Sequence, residues 1–327
     1  MVAEAAGVSV ASVSMALRGD PQISPARRDE LRALAESMGY RTNPVLAAGM
    51  AQVRHRKEAD IGGVLLGLHS LPLKEAQVWE ATRNILDGLS KRAGELGYRV
   101  EWAQLLPEQE KRLIRRIGNM GIPGAVFIGP RWPALDEALA RIAEHISVVR
   151  ASGTREGVKL HFAQIDFYRG VMVAMERALK DGARRIGLVT SRRFDEATGK
   201  AISGAYYASQ PPESLSEELP PLFDPLRERF DERVRGWWRK YRPDAILTTE
   251  KNWTMEHWRS LSPGQCRARM IQIGVTSETP DWEGIRFPDD LVGVTAVDMV
   301  VAQIHRGERG VPHFQKGTLV EGAWISR

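Results

Sequence analysis

Four serines near the start of the chain, Ser9, Ser12, Ser14 and Ser24, are the residues whose type and spacing point most directly to chemistry. A helix N-terminus lined with small hydroxyls offers unpaired backbone N–H groups and side-chain donors to phosphate, which fixes register on a nucleic-acid backbone without reading its sequence. The elements that must hold these serines are short. A first helix ends at Ala6, Gly7 makes the turn, and Ser9 caps a second helix. On that helix Val13, Ala16 and Leu17 share one face, while Ala11, Ser12, Met15 and Arg18 share the other. Ser24 caps a third helix with Pro25 at its first position, Leu31, Leu34, Ala35 and Met38 turned inward, and Gly39 at its end. Three such helices close one small core, and two helices about a tight turn followed by a third read as a DNA-binding head. A three-helix cap on an α/β body is the alternative, but it has no need of those hydroxyls.

The stretch from Val2 to Ser14 resembles the head of the LacI-type (lactose-repressor-like) transcriptional regulators, whose pattern Val-Ala-x-x-Ala-Gly-Val-Ser-x-x-(Thr/Ser)-Val-Ser it meets. The likeness continues through Leu17-Arg18-Gly19-Asp20, Ile23-Ser24, Gly39-Tyr40-Arg41 and Asn43-Pro44. The resemblance implies phosphate contacts at Ser9, Ser12, Ser14 and Ser24, base contacts at Val10, Ala11 and Met15, and supporting contacts at Arg18, Gln22 and Asn43. None of Val10, Ala11 and Met15 can form a bidentate hydrogen bond, so these apolar groups suit thymine methyls or no direct readout at all, and specificity leans on Gln22, on DNA shape and on the hinge. Met15 can equally be a core residue.

Residues 44–57 stand where such regulators have a hinge helix that wedges leucine into the minor groove. Here Gly49 occupies the wedge position, flanked by Leu46 and Met50. Glycine in a helix interior costs about 1 kcal/mol relative to alanine, so this hinge is less ready to fold alone and Leu46 or Met50 inherits the wedge. A plain linker is the other reading. The basic run Arg54, His55, Arg56 and Lys57 follows. At its other end the first helix has only Met1 before it and no cap, which predicts weak packing of the head off DNA or a native chain that starts earlier.

Composition is consistent with this account. The chain has 327 residues, 43% hydrophobic, and a net charge of +5. Residues 1–57 hold eight Lys/Arg against five Asp/Glu, so more than half of the basic excess sits in about a sixth of the chain, as a polyanionic partner favours. The single Cys266 excludes an intramolecular disulfide and any cysteine-cluster metal site. No signal peptide opens the chain and no apolar run approaches the roughly 18 residues of a membrane span, so the expected compartment is the cytoplasm, with no membrane partner.

After Lys57 short apolar runs alternate with longer helical stretches. Strands are expected at 61–67, from Gly97, and at 125–128, 147–149, 186–189, 245–247 and 270–274, with a helix over roughly 76–96. Such alternation implies βαβ crossovers and a doubly wound parallel sheet. The segments around Ile165-Asp166, Leu179 to Val189, Arg242-Pro243-Asp244, Leu291 to Asp298 and Leu319 to Trp324 are similar to the ligand-binding core of the same family. The fold expected is therefore an all-α helix-turn-helix head joined to an α/β periplasmic-binding-protein-like core of two doubly wound parallel-sheet subdomains. The head spans 1–43, the hinge 44–57 and the core 58–327, with one subdomain of about 58–162 plus 291–318 and the other of 163–290 plus 319–327.

In such a core a ligand lies at the carboxyl ends of the strands, between the halves. Candidates there are His69, Ser70, Asp166, Arg192, Lys200, Glu250 and Trp253, each with a surface role as its alternative. Relative to the family, Glu250-Lys251 replaces an Asn-Asp pair and Thr276-Ser277 replaces an acidic pair, and the resulting mixture of Lys, Arg and Glu suits a charged or modified sugar, or no effector at all. Nine tryptophans include Trp237, Trp238, Trp253, Trp258 and Trp282 in the last third, where core packing is the commoner use and a sugar-stacking wall the other. The acidic, proline-rich stretch 210–221 reads as a surface loop.

Enzyme motifs are missing. Gly62-Gly63 and Gly67 lack the Gly-x-Gly-x-x-Gly spacing, Gly199-Lys200 lacks the rest of a phosphate loop, there is no Gly-x-Ser-x-Gly, and the seven histidines show no metal-ligand pairing. Asp289-Asp290 reads as a loop before the closing helix. The expectation is a non-enzymatic, cofactor- and metal-free homodimeric regulator that binds a palindromic operator in double-stranded DNA, most simply a repressor, under control of a sugar-like effector. The alternative is a cytoplasmic small-molecule sensor with a degenerate head.

Overall fold

A computed structural model describes residues 2–18, 23–38, 63–77, 79–129, 133–152, 157–210, 219–223, 230–250, 255–261, 268–277, 279 and 282–326. The chain divides into two units, Met1–Ile61 and Gly62–Arg327.

In the first unit, α1 (Val2–Ala5), α2 (Val10–Arg18) and α3 (Pro25–Ser37) enclose Val2, Val13, Ala16, Leu31 and Ala35, with Ala3, Ala6, Val8, Leu17 and Ile23 packed around them. The apolar faces expected on α2 and α3 are the ones buried. Gly7 takes φ +62°, the left-handed turn between α1 and α2 that glycine adopts without steric cost. Met38 is an exception: it follows the end of α3, past the last turn that packs on α2, and is exposed.

The second unit begins with β1 (Gly63–His69), a short α4 (Leu73–Ala76), α5 (Glu80–Glu95) and β2 (Tyr98–Gln104). Then come α6 (Glu110–Met120), β3 (Gly124–Ile128), α7 (Pro133–His145), β4 (Ser147–Ala151) and β5 (His161–Ile165). The chain continues with α8 (Phe167–Lys180), β6 (Ile186–Thr190), α9 (Arg192–Ala197), α10 (Ala201–Ala208), β7 (Leu222–Phe223), α11 (Phe230–Tyr241), β8 (Ala245–Thr248) and α12 (Met255–Leu261). It closes with β9 (Arg269–Ile273), β10 (Glu283–Arg286), α13 (Asp289–Arg306), β11 (Gly317–Val320) and β12 (Ala323–Ile325). The helix expected over roughly 76–96 is α5, and the short α4 ahead of it is an addition.

Two six-stranded sheets result, ordered β2-β1-β3-β4-β5-β11 and β7-β6-β8-β9-β10-β12. Every pairing is parallel except β10 with β12. Runs such as Val64-Leu65-Leu66 and Ala125-Val126-Phe127-Ile128 are buried throughout, as strands covered by helices on both faces require. Trp237, Trp238, Trp258 and Trp282 are buried with Val189, Val234, Ile246 and Met270 on one face of the second sheet, so four of the five tryptophans singled out above are core; Trp253 lies outside the described residues.

The chain crosses between the sheets three times, at 166, at 287–288 and at 321–322. Two crossings come a few residues later than expected. The reason is that β5 and β11 pair from Phe162–Gly317 to Ile165–Val320, straight through the positions assigned to the change of subdomain. Asp289 and Asp290 are also not a loop: they form the first turn of α13, where the helix dipole favours negative charge.

The crossings are fastened to one another. The Asp166 N–H donates to the Val320 carbonyl at 2.8 Å, and the Phe167 ring packs edge-on against Phe287 with centroids 5.1 Å apart. Beside them α5 and α13 touch backbone to backbone, since a Cβ on Gly88 would lie 2.1 Å from the Asp290 carbonyl oxygen and one on Gly293 2.1 Å from that of Ile85.

Candidate nucleic-acid interface and ligand cleft

Ser9 caps α2 in the head. The Ser9 Oγ accepts the Ser12 N–H at 3.0 Å and lies 2.9 Å from the Ser12 Oγ, so the hydroxyl satisfies one orphan donor of α2. The N–H groups of Val10 and Ala11 in the same first turn have no intrahelical acceptor and remain for an outside anion. Ser9 and Ser24 are exposed, Ser12 is half-buried, and Met15 is half-buried as well, between the two readings given for it. The side chains of Val10, Ala11, Ser14 and Arg18, and the whole of Gln22, Asn43, Leu46, Gly49 and Met50, lie outside the described residues. Arg27, which was not singled out in the sequence, donates through Nη2 to the Ala6 carbonyl at 3.2 Å and through Nη1 to Glu30 at 2.6 Å, tying α3 to the end of α1.

In the core, the carboxyl ends of β1 and β3 of the first sheet and β6 and β8 of the second bear the candidate ligand residues. His69 and Ser70 end β1 and are buried. His69 Nδ1 donates to the Leu71 carbonyl, which leaves Nε2 as the acceptor. Ser70 Oγ has no hydrogen-bond partner among the described residues, and Gly129 at φ +115° leaves it room, because a Cβ there would come within 2.5 Å of that oxygen.

Across from it, Glu250 follows β8 and is 7% exposed. Its carboxyl accepts from the Ser191 backbone N–H, and burial pushes its pKa up to about 7. Beneath it Thr190 Oγ1 lies 2.8 Å from Thr249 Oγ1, and the Glu250 N–H donates to Thr248 Oγ1 at 3.1 Å. The ends of β6 and β8 therefore form a hydroxyl-rich seat around one acid.

The other candidates are placed differently. Asp166 Oδ1 accepts the Arg169 N–H at 2.9 Å, so this acid caps α8 at the first crossing. The Arg192 guanidinium lies 4.5 Å from the Phe223 ring centroid, toward the edge strand β7, and is exposed. Lys200 is exposed at φ 60° ahead of α10. Trp253 lies outside the described residues. Ser191 and Glu250 are thus brought together, while Asp166, Arg192 and Lys200 hold structural or peripheral positions.

Sequence reasoning missed two features. Phe194 on α9 packs edge-on against Phe167 at 5.4 Å beside the first crossing, an aromatic surface near the cleft that one phenylalanine in a polar helix did not announce. Glu80, the first residue of α5, accepts from the Ser277 N–H at 3.0 and 3.1 Å and from the Ser277 Oγ at 2.7 Å. This contact joins the first subdomain to the loop after β9 in the second. Its only sequence signal was the unusual Thr276-Ser277 pair. Thr276 and Thr279 brace that loop, the Thr279 Oγ1 accepting the Thr276 N–H at 3.1 Å.

Among the described residues no cluster of His, Cys, Asp or Glu is arranged to hold a metal ion, and no helix is long and apolar enough to cross a membrane.

Residues 2–43 match the family described as "Bacterial regulatory proteins, lacI family". Catabolite control protein A of Staphylococcus epidermidis is 24% identical over 303 residues, covering 89% of this chain and 79% of that protein. The complex of the transcriptional regulator CelR with cellobiose superposes with a TM-score of 0.59 at 17% identity, over 100% of this chain and 98% of that one. The lac repressor dimer bound to operator and the anti-inducer ONPF superposes with a TM-score of 0.60 at 16% identity, over 100% and 96%. These structures share the fold. Residues 2–43 therefore carry the head of the lacI family of bacterial regulatory proteins, and the remainder of the chain has the fold seen in the CelR and lac repressor structures.

Proposed function

We propose that this protein is a homodimeric, sequence-specific repressor of transcription that holds a palindromic operator through two heads and answers to a polar, sugar-like effector bound between the halves of its core. The observation that carries the reading is the Ser9-capped start of α2, which offers free N–H groups to a phosphate on a head otherwise closed around Val13, Ala16 and Leu31. One such head buries too little surface for tight binding, so two are needed about one turn of duplex apart. The lac repressor dimer on its operator and the CelR–cellobiose complex support this assignment by analogy. The buried Glu250, the Thr190–Thr249 pair and the Ser70 hydroxyl are hydrogen-bonding groups of the kind that hold a polyol, and closure of the cleft around one would bias the dimer by the 1–3 kcal/mol that is about usual for allosteric coupling. The same reading makes the protein a regulator without catalytic residues, acting in the cytoplasm where its DNA lies.

The test is selection of operators from random duplexes, followed by a salt titration on the best one. A palindromic consensus and a steep loss of affinity with salt, reversed or enhanced by one member of a sugar panel, is the expected result. Weak, sequence-blind binding would instead identify a sensor with a degenerate head.

A further inference from the structure

A pocket of about 500 Å³ lies in the first subdomain at the end opposite the cleft, lined by His161, Gln303, Arg306, Glu308, Lys316 and neighbouring residues of α13 and β11. His161 and Gly317 begin β5 and β11, so the pocket opens at the amino ends of these strands, whereas the cleft lies at the carboxyl ends. Two cations face one carboxylate there. Arg306 grips Glu308 through Nε at 2.6 Å and Nη2 at 2.9 Å, which leaves Nη1 for another acceptor, and Lys316 Nζ forms no ion pair among the described residues. The backbone N–H of Lys316 donates to His161 Nδ1 at 3.0 Å, so the proton of the neutral ring sits on Nε2 as a further donor. Gln303 is 6% exposed and its Oε1 carries no hydrogen bond among the described residues, an acceptor that a ligand hydroxyl could satisfy.

We propose that this pocket binds the oxyanion of a small metabolite, a phosphate or carboxylate group, between Arg306, Lys316 and His161. The local field agrees with the geometry. Burial, Lys316 and Arg306 hold the His161 pKa below its ordinary value against the opposing pull of Glu308, and Arg306, Lys316 and His161 together hold Glu308 below the usual carboxylate range. An oxyanion would relieve the surplus of positive charge. Charge-assisted hydrogen bonds of the kind Arg306 Nη1 and Lys316 Nζ can give are the strong ones, and the volume leaves room for a hydroxylated body beside Gln303.

The experiment is nuclear magnetic resonance of the full chain labelled at histidine, with the His161 ring assigned by its loss in His161→Gln. Sodium phosphate and sodium acetate are titrated separately, each at constant ionic strength against sodium chloride. The expected result is a saturable shift of the His161 ring signals with one or both salts, about tenfold weaker in apparent affinity in Lys316→Gln, which leaves the Arg306–Glu308 pair intact. The salt that saturates at lower concentration names the oxyanion. No saturable shift with either salt, or identical titrations in wild type and Lys316→Gln, would overturn the proposal. Because Lys316 is exposed, its replacement leaves folding unaffected, and a thermal melt matching the wild type verifies this.

Discussion

Replacing Glu250 by Gln changes how the stability of the core depends on pH. In the folded protein burial holds the Glu250 proton to about pH 7, whereas an exposed glutamate releases it near 4.5. Between those values the folded state binds more protons than the unfolded one, so this group lowers stability as pH rises from 4.5, and the whole contribution is lost above pH 7. The separation of about 2.5 pH units at about 1.4 kcal/mol each amounts to roughly 3 kcal/mol. Glutamine keeps an acceptor for the Ser191 N–H but has no proton to release, so Glu250→Gln gains on wild type as pH rises from 5 to about 7 and the difference levels off by pH 8. For a unit of this size 3 kcal/mol corresponds to about 6–12 °C in melting temperature. The assay is thermal unfolding of the full chain at pH 5, 6, 7 and 8, with wild type and variant at one scan rate, so that every other titrating group cancels in the difference. Parallel melting temperatures across that range would refute the assignment of Glu250 as a buried acid of the cleft.

Three further outcomes follow from the structure. Gly293→Ala forces a Cβ into the Ile85 carbonyl oxygen 2.1 Å away, and the α5–α13 contact must open; a loss of about 1–3 kcal/mol or more is expected in urea unfolding, and an unchanged midpoint would mean that the two helices do not touch there. Ser9→Ala removes the cap of α2 and costs the head about 1 kcal/mol, seen as faster amide exchange at Val13 and Ala16, whereas Ser9→Gly should cost only a few tenths. Glu80→Gln and Ser277→Ala each weaken the contact across the cleft, so the ligand-free core should show a larger radius of gyration by small-angle scattering. In a double-mutant cycle the two changes should couple by about 0.5 kcal/mol or more, and strict additivity would show that Glu80 and Ser277 do not meet in solution.

Much of this architecture was written locally. The three head helices, the left-handed Gly7 and the Ser9 cap follow from short-range steric and hydrogen-bonding preferences, and the apolar runs at Leu65, Val126, Val149, Leu188, Ile246 and Ile271 announced parallel strands because a strand covered on both faces has no polar side to show. Met38 misled because period alone does not say where the partner helix stops. The crossings were misplaced by a few residues since the pairing of β5 with β11 joins positions some 155 apart, and no local signal marks how far such a ladder runs. The cleft was least legible. Asp166, Arg192 and Lys200 have the residue types of ligand groups, yet a cap, a ring and a loop claim them, while Glu80 and Ser277 meet only because two subdomains fold against each other. Helix, strand and cap are decided by neighbours along the chain. A pKa near 7 at Glu250, a glycine contact between α5 and α13, and a hydrogen bond spanning the cleft depend on which distant groups arrive beside them, and only tertiary packing decides that.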